Sequence, residues 1–118
     1  MSALKSTAIG WLLVSIGHTI SAKDWQSTPK FTTLPNLAST CAKAGWYQGS
    51  GFFVMNALLN YAWSQNPSLL QQPIHKAIAA VMVAIVWVSA VWYAKRGVGS
   101  NAVATALIGG LQGYAAFV

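Results

Sequence analysis

The chain has 118 residues, of which 55% are hydrophobic and 7% charged, with seven Lys and Arg, two His and a single acid, Asp24. A soluble domain carries roughly a quarter charged residues, so this composition argues against an ordinary water-soluble domain, and one acid and one cysteine (Cys41) exclude a two-carboxylate dyad, an internal disulfide and a multi-cysteine zinc site. The formal charge of +6 is scattered between apolar runs, which argues against a nucleic-acid partner.

Four stretches approach the roughly 20 residues that a helix needs to cross a bilayer. The first covers 3–22, around Ile9-Gly10-Trp11-Leu12-Leu13-Val14, with Lys5 ahead of that apolar run and small residues at Ser21-Ala22. These features also suit a signal peptide, but the stretch is read as a retained helix. The second covers 45–64, the third 76–94 and the fourth, which is short, 102–118. Lys23 to Lys30, Gln65-Asn66-Pro67-Ser68 and Lys95 to Asn101 punctuate them, and Pro73 precedes the third. The expected fold is all-α: one domain over 1–118, an integral membrane antiparallel four-helix bundle with a long first loop, 23–44. Phe31-Thr32-Thr33-Leu34-Pro35 in that loop is apolar enough to lie on the mouth of the bundle. Lys5 and Lys76 fall on one side; Lys23, Lys30, Lys43, Lys95 and Arg96 fall on the other. The positive-inside rule then places the first and third loops in the cytosol and both termini outside or in a lumen; the expected setting is a multi-pass protein of an endoplasmic-reticulum-type membrane.

Polar side chains inside apolar spans are costly in lipid, so their positions are informative. Thr7, Trp11, Ser15 and His18 share one helical face; Gln48, Asn56 and Asn60 mark the second span; Asn101, Thr105, Gly109 and Gln112 form a stripe on the fourth. The stripes suit hydrogen-bonded packing between helices. Gly109, Gly110 and Gly113 suit close approach within the bundle or in a homodimer, and both stay open. The antiparallel topology gathers His18, Asp24, Tyr47, Gln48, Trp92, Tyr93, Asn101 and Thr105 at one mouth and leaves His75 at the opposite face. An acid, an imidazole, phenols and carboxamides among aromatic residues suit acid–base chemistry on a lipophilic substrate. His18, Asp24 and Tyr47 are the candidate catalytic residues, with Asp24 or His18 as base and Tyr47 or Tyr93 as proton donor. Trp11, Gln48, Phe52, Trp87, Tyr93, Asn101 and Thr105 are the candidate substrate-binding residues. No Gly-rich phosphate loop, H-E-x-x-H helix, G-x-S-x-G elbow or Cys/His metal spacing occurs, so neither cofactor nor metal is expected.

In length and number of spans the chain resembles the small multidrug-resistance exporters. Their first-helix glutamate has no counterpart here, where that helix carries His18 instead. Ile16-Gly17-His18-Thr19 at the end of the first helix and Gly45-Trp46-Tyr47-Gln48-Gly49 opening the second resemble the small multi-pass membrane proteins of fungal polyketide clusters of the aurovertin and citreoviridin type. That resemblance implies a hydrolase or cyclase acting on polyene epoxides, with His18, Asp24, Tyr47 and Gln48 as the residues concerned. The expected function is therefore cofactor-free epoxide hydrolysis or epoxide-opening cyclisation of a lipophilic polyketide-type natural product. The alternative is a non-catalytic assembly subunit, or a carrier or exporter of hydrophobic metabolites.

Overall fold

A computed structural model describes residues 1–118. Five helices and no strands make up the chain: α1 (Ala3–Gln26), α2 (Pro29–Thr32), α3 (Asn36–Gln65), α4 (Pro73–Lys95) and α5 (Gly99–Phe117). A 3-10 turn, Pro67–Gln71, joins α3 to α4.

Local chemistry sets the ends. Ser2 caps α1 by accepting from the Lys5 N–H at 3.2 Å. Thr28 caps α2, whose first residue is Pro29, and Pro73 opens α4, where a missing N–H costs no helical hydrogen bond. At the end of α4, Gly97 takes φ +75°, its N–H reaches the Ala94 carbonyl, and the Val98 N–H reaches the Tyr93 carbonyl at 2.9 Å. This paired closure, which needs the left-handed residue that glycine tolerates, turns the chain tightly into α5.

One expectation is corrected. The long loop 23–44 is largely helical: α1 runs on to Gln26, α2 adds a turn, and α3 starts at Asn36 rather than Gly45. Asn36 to Ala44 carries no helix breaker after Pro35, so helix propagates freely through it. Lys43 thereby sits on a helix, and α4 and α5 each start three residues earlier than expected, at Pro73 and Gly99. The all-α expectation holds, and of the four long helices α4 alone is long and apolar enough to cross a bilayer by length and composition. The others carry polar residues that lower their average, and several of these, Thr7, Ser15, Asn56, Asn60 and Gln112, are buried.

Side-chain partners fix the packing. His18 meets Trp46, Ser15 meets Ser50 and Trp11 meets Phe53, so α1 and α3 run antiparallel. Trp11 bonds Gln112 and Trp87 bonds the Ala106 carbonyl, so α5 runs antiparallel to both α1 and α4. The result is an elongated body of 50 × 25 × 24 Å. Its core holds Trp11, Phe53, Ala57, Met82, Val86 and Ile108. Gln112 lies at the centre with no exposed surface. Its Oε1 accepts from Trp11 Nε1 at 2.7 Å and from Asn60 Nδ2 at 2.6 Å, and its Nε2 donates to Asn60 Oδ1 at 3.1 Å. One side chain thus ties α1, α3 and α5 together.

The outside is apolar. Only 20 of 118 residues are buried, so the helices turn large apolar side chains outward, among them Leu13, Leu58, Val88 and Leu107 at 63–69% exposure. This inverts the arrangement of a water-soluble protein, where buried polar groups and large exposed apolar surfaces are the exceptions.

Candidate functional site

The C-terminal end of α1 and the N-terminal ends of α3 and α5 meet beside the end of α4. There a cavity of about 440 Å³ is lined by His18, Ser21, Asp24, Trp46, Phe53, Tyr93, Ser100, Asn101 and Thr105, with Leu13, Val14, Gly17 and Ala104 as apolar walls. Small-molecule sites span about 300–1,000 Å³ and combine apolar walls with a few convergent polar groups, and this cavity fits both criteria.

His18 is held by α3. Its ring stacks on the Trp46 indole at 3.7 Å between centroids and 11° between planes. Its Nε2 bonds the Trp46 carbonyl at 2.9 Å, and Trp46 Nε1 donates back to the His18 carbonyl at 2.7 Å. A carbonyl accepts only, so this bond places a hydrogen on Nε2, and in the neutral ring the lone pair lies on Nδ1. Gly49 makes the approach feasible, since a Cβ there would stand 3.1 Å from His18 Nε2. Phe53 meets the ring edge at 5.0 Å. Below, Ser15 Oγ donates to the Ser50 carbonyl at 2.9 Å and Thr19 Oγ1 to Ser50 Oγ at 2.8 Å, locking the register of α1 on α3.

Asp24 lies six positions after His18 on α1, exposed at the rim of the same cavity. Tyr93 comes from the last turn of α4, and its carbonyl takes part in the Gly97 closure that delivers Asn101 on the next helix. Thr105 Oγ1 donates to the Asn101 carbonyl at 2.7 Å, so toward the cavity it offers lone pairs. Lys23, Lys30, Lys43, Lys95 and Arg96 lie at this end of the bundle, whereas Lys5 and Lys76 lie at the other.

Of the candidate residues, His18, Asp24, Tyr93, Asn101 and Thr105 line one cavity, and five others do not. Tyr47 is 47% exposed, with its hydroxyl donating to Gln26 Oε1 at 3.2 Å. Trp46 takes the inward position on α3, and the next residue on a helix points about 100° away. Gln48 is exposed for the same reason. Trp11 is fully buried at Gln112. Phe52 meets Trp11 edge-on and faces a groove between α3 and α4 instead. Trp87 packs over Gly109 at the α4–α5 contact. His75 accepts from Trp63 Nε1 at 3.0 Å at the end of the bundle away from His18. Trp46 and Phe53 carry the site without having been singled out for it; their inward position follows from the α1–α3 register, which no residue pattern within either helix displays. No group of three or more His, Cys, Asp or Glu is arranged to hold a metal ion. Comparison with known protein families, curated proteins and solved structures gives no match.

Proposed function

We propose that the chain is a small multi-pass membrane protein whose four long helices all cross the bilayer, and that the His18–Asp24–Tyr93 cavity performs cofactor-free acid–base chemistry on a lipophilic substrate. The membrane reading is supported by the inverted polarity of the bundle. At about 1.5 Å per residue, α1, α4 and α5 measure about 36, 35 and 28 Å, matched to a hydrocarbon core of about 30 Å. The polar residues of α1, α3 and α5 that lower their averages include Gln112, Asn60 and Ser15, which turn inward and leave lipid-facing surfaces apolar. The excess of cations at the cavity end favours a cytosolic mouth.

The observation that carries the chemistry is a single cavity shared by an imidazole with a defined free nitrogen, the chain's one acid and a phenol. Opening an epoxide is the reaction these groups fit. His18 Nδ1 takes a proton from water as the water oxygen bonds to an epoxide carbon. The C–O bond to that carbon breaks, its electron pair moves to the departing oxygen, and Tyr93 Oη delivers a proton there. His18 then returns its proton to Tyr93 through solvent, and a diol leaves. Replacing water by a hydroxyl of the substrate gives cyclisation by the same steps. Asp24, facing the same cavity, stabilises the imidazolium formed midway. The Asn101 amide donates to a substrate oxygen, Thr105 accepts from a substrate hydroxyl, and Phe53, Leu13 and Val14 hold the apolar body. A polyketide-type polyene epoxide fits such walls and reaches them from the lipid.

The test is turnover of a panel of lipophilic epoxides by the purified protein in nanodiscs, with diol or cyclic ether read by mass spectrometry. His18→Ala, Asp24→Asn and Tyr93→Phe each remove product while the protein stays folded and monodisperse. Saturable epoxide binding with no product from the wild type refutes the enzyme and identifies a carrier.

A further inference from the structure

The cavity that holds His18 is a slot between α1 and α5, graded in polarity along α1. Gly10 and Gly17 lie seven positions apart on α1, nearly on one face. At Gly10 the two helices touch: a Cβ there would stand 3.1 Å from Ile108 Cδ1 and 3.3 Å from Leu111 Cδ2. At Gly17 a Cβ would meet nothing within 4 Å. The helices therefore diverge toward the cation-rich end, and the cavity occupies the gap. Leu13, Gly17 and Ala104 on its walls are exposed, so its deep half opens sideways onto the apolar outer face of the bundle. Asp24, also exposed, stands at the shallow end of the slot. His18 lies six residues deeper, about 9 Å along the helix, and Leu13 five residues deeper again, about 8 Å.

We propose that this slot takes a straight-chain amphiphile lying along α1. Its hydroxyl head donates to the Asp24 carboxylate, and its epoxide lies about seven carbons further on, level with His18. Its alkyl tail leaves between Leu13 and Ala104 into the lipid. The spacing follows from the rise of about 9 Å, since an extended chain with bonds of about 1.5 Å advances about 1.3 Å per carbon. An ionised carboxylate only accepts, so the head must be a donor. The sideways opening sets no upper limit on the tail. The epoxide rests on the acid–base reading of the site, whereas the head, the spacing and the tail rest on the geometry of the slot.

The experiment uses the full chain in nanodiscs and a panel of straight-chain alcohols. Each carries an internal cis-epoxide four, seven or ten carbons from the hydroxyl and a tail of two or ten carbons beyond it. Binding is read from the nitrogen NMR signals of the His18 imidazole, with His75 at the far end of the bundle as reference. Turnover is read separately by mass spectrometry. The seven-carbon spacer binds and reacts about tenfold better than the other two, whichever tail it carries, because misplaced reacting groups lose at least that much. Capping its hydroxyl as the methyl ether weakens binding about two- to tenfold, the worth of one hydrogen bond. Leu13→Trp, at a position 64% exposed, closes the exit. It weakens the ten-carbon tail about tenfold and leaves the two-carbon tail, which stops short of it, unchanged. Spacer-selective binding without product upholds the amphiphile and overturns the acid–base reading. Equal binding and reaction by all three spacers overturns the amphiphile and leaves the acid–base reading standing. An ether that binds as tightly as the alcohol, or a Leu13→Trp protein that takes both tails equally, overturns the amphiphile as well, and so does a wild type that binds none of the panel.

Discussion

Replacing Gln112 by Leu, a side chain of similar size, removes the polar centre of the bundle without emptying it. Three interhelical hydrogen bonds disappear, those donated by Trp11 Nε1 and by Asn60 Nδ2 and the one accepted by Asn60 Oδ1. Interhelical hydrogen bonds in membranes average about 0.6 kcal/mol, so three amount to about 2 kcal/mol. Two buried groups then lack a partner, the Trp11 indole N–H and Asn60 Oδ1, whereas Asn60 Nδ2 keeps the Asn56 carbonyl. At about 1–3 kcal/mol per orphan, the upper bound is about 6 kcal/mol. The expected loss is about 2–4 kcal/mol, more than any one membrane hydrogen bond supplies. Unfolding in mixed micelles, followed by circular dichroism over a range of SDS fractions, measures it. Adding Trp11→Phe removes the orphan indole N–H, so the double variant loses about 1 kcal/mol less than the sum of the two singles. A Gln112→Leu protein within about 0.5 kcal/mol of wild type refutes the reasoning, because the triad would then contribute no more than an ordinary surface contact.

Further outcomes follow from the same geometry. Gly109→Ala puts a methyl into the Trp87 indole and within 3.0 Å of Val86 Cγ2; micelle unfolding should show a loss of about 1–3 kcal/mol, largely restored by adding Trp87→Ala. Gly51→Ala, at an exposed position with no atom within 4 Å of the new methyl, should instead gain about 0.5–1 kcal/mol from helix preference. Gly49→Ala crowds His18 Nε2, so nitrogen NMR of the imidazole should lose the fixed Nε2–H pattern seen in the wild type. Tyr47→Phe should leave epoxide turnover unchanged, because its hydroxyl bonds Gln26 outside the cavity. Tyr93→Phe should lower turnover by about a hundredfold or more, as loss of a general acid does.

Much of the fold is legible in the sequence because hydrophobic runs and breakers are local. Pro67, Pro73 and Gly97 mark the turns where they occur, and Trp11, Asn60 and Gln112 on three separate polar stripes do meet. The helical course of Asn36 to Ala44 is harder to see, since its weakly apolar composition reads equally as loop. The site is legible by depth but not by azimuth. Antiparallel order brings His18, Asp24, Tyr93, Asn101 and Thr105 to one end, but a rotation of about 100° per residue decides whether Trp46 or Tyr47 faces His18. That rotation depends on contacts across helices, here the Ser15–Ser50 bond and the room above Gly49. The orphan amide of Asn56 is likewise invisible in sequence, where it looks the same as its satisfied neighbour Asn60.

The central claim is that the bundle is inside out, with all four long helices against lipid. Spin labels placed one at a time at Ile16, Leu58, Val88 and Leu107, an outward position on each long helix, test it in a Cys41→Ser background reconstituted in vesicles. Oxygen, which concentrates in lipid, and a water-soluble nickel chelate report the surroundings of each label. The account predicts that all four labels collide readily with oxygen and scarcely with nickel. If the Val88 label on α4 behaves this way while those on α1, α3 and α5 are open to nickel, the chain crosses the membrane once at most and the four-span bundle is wrong.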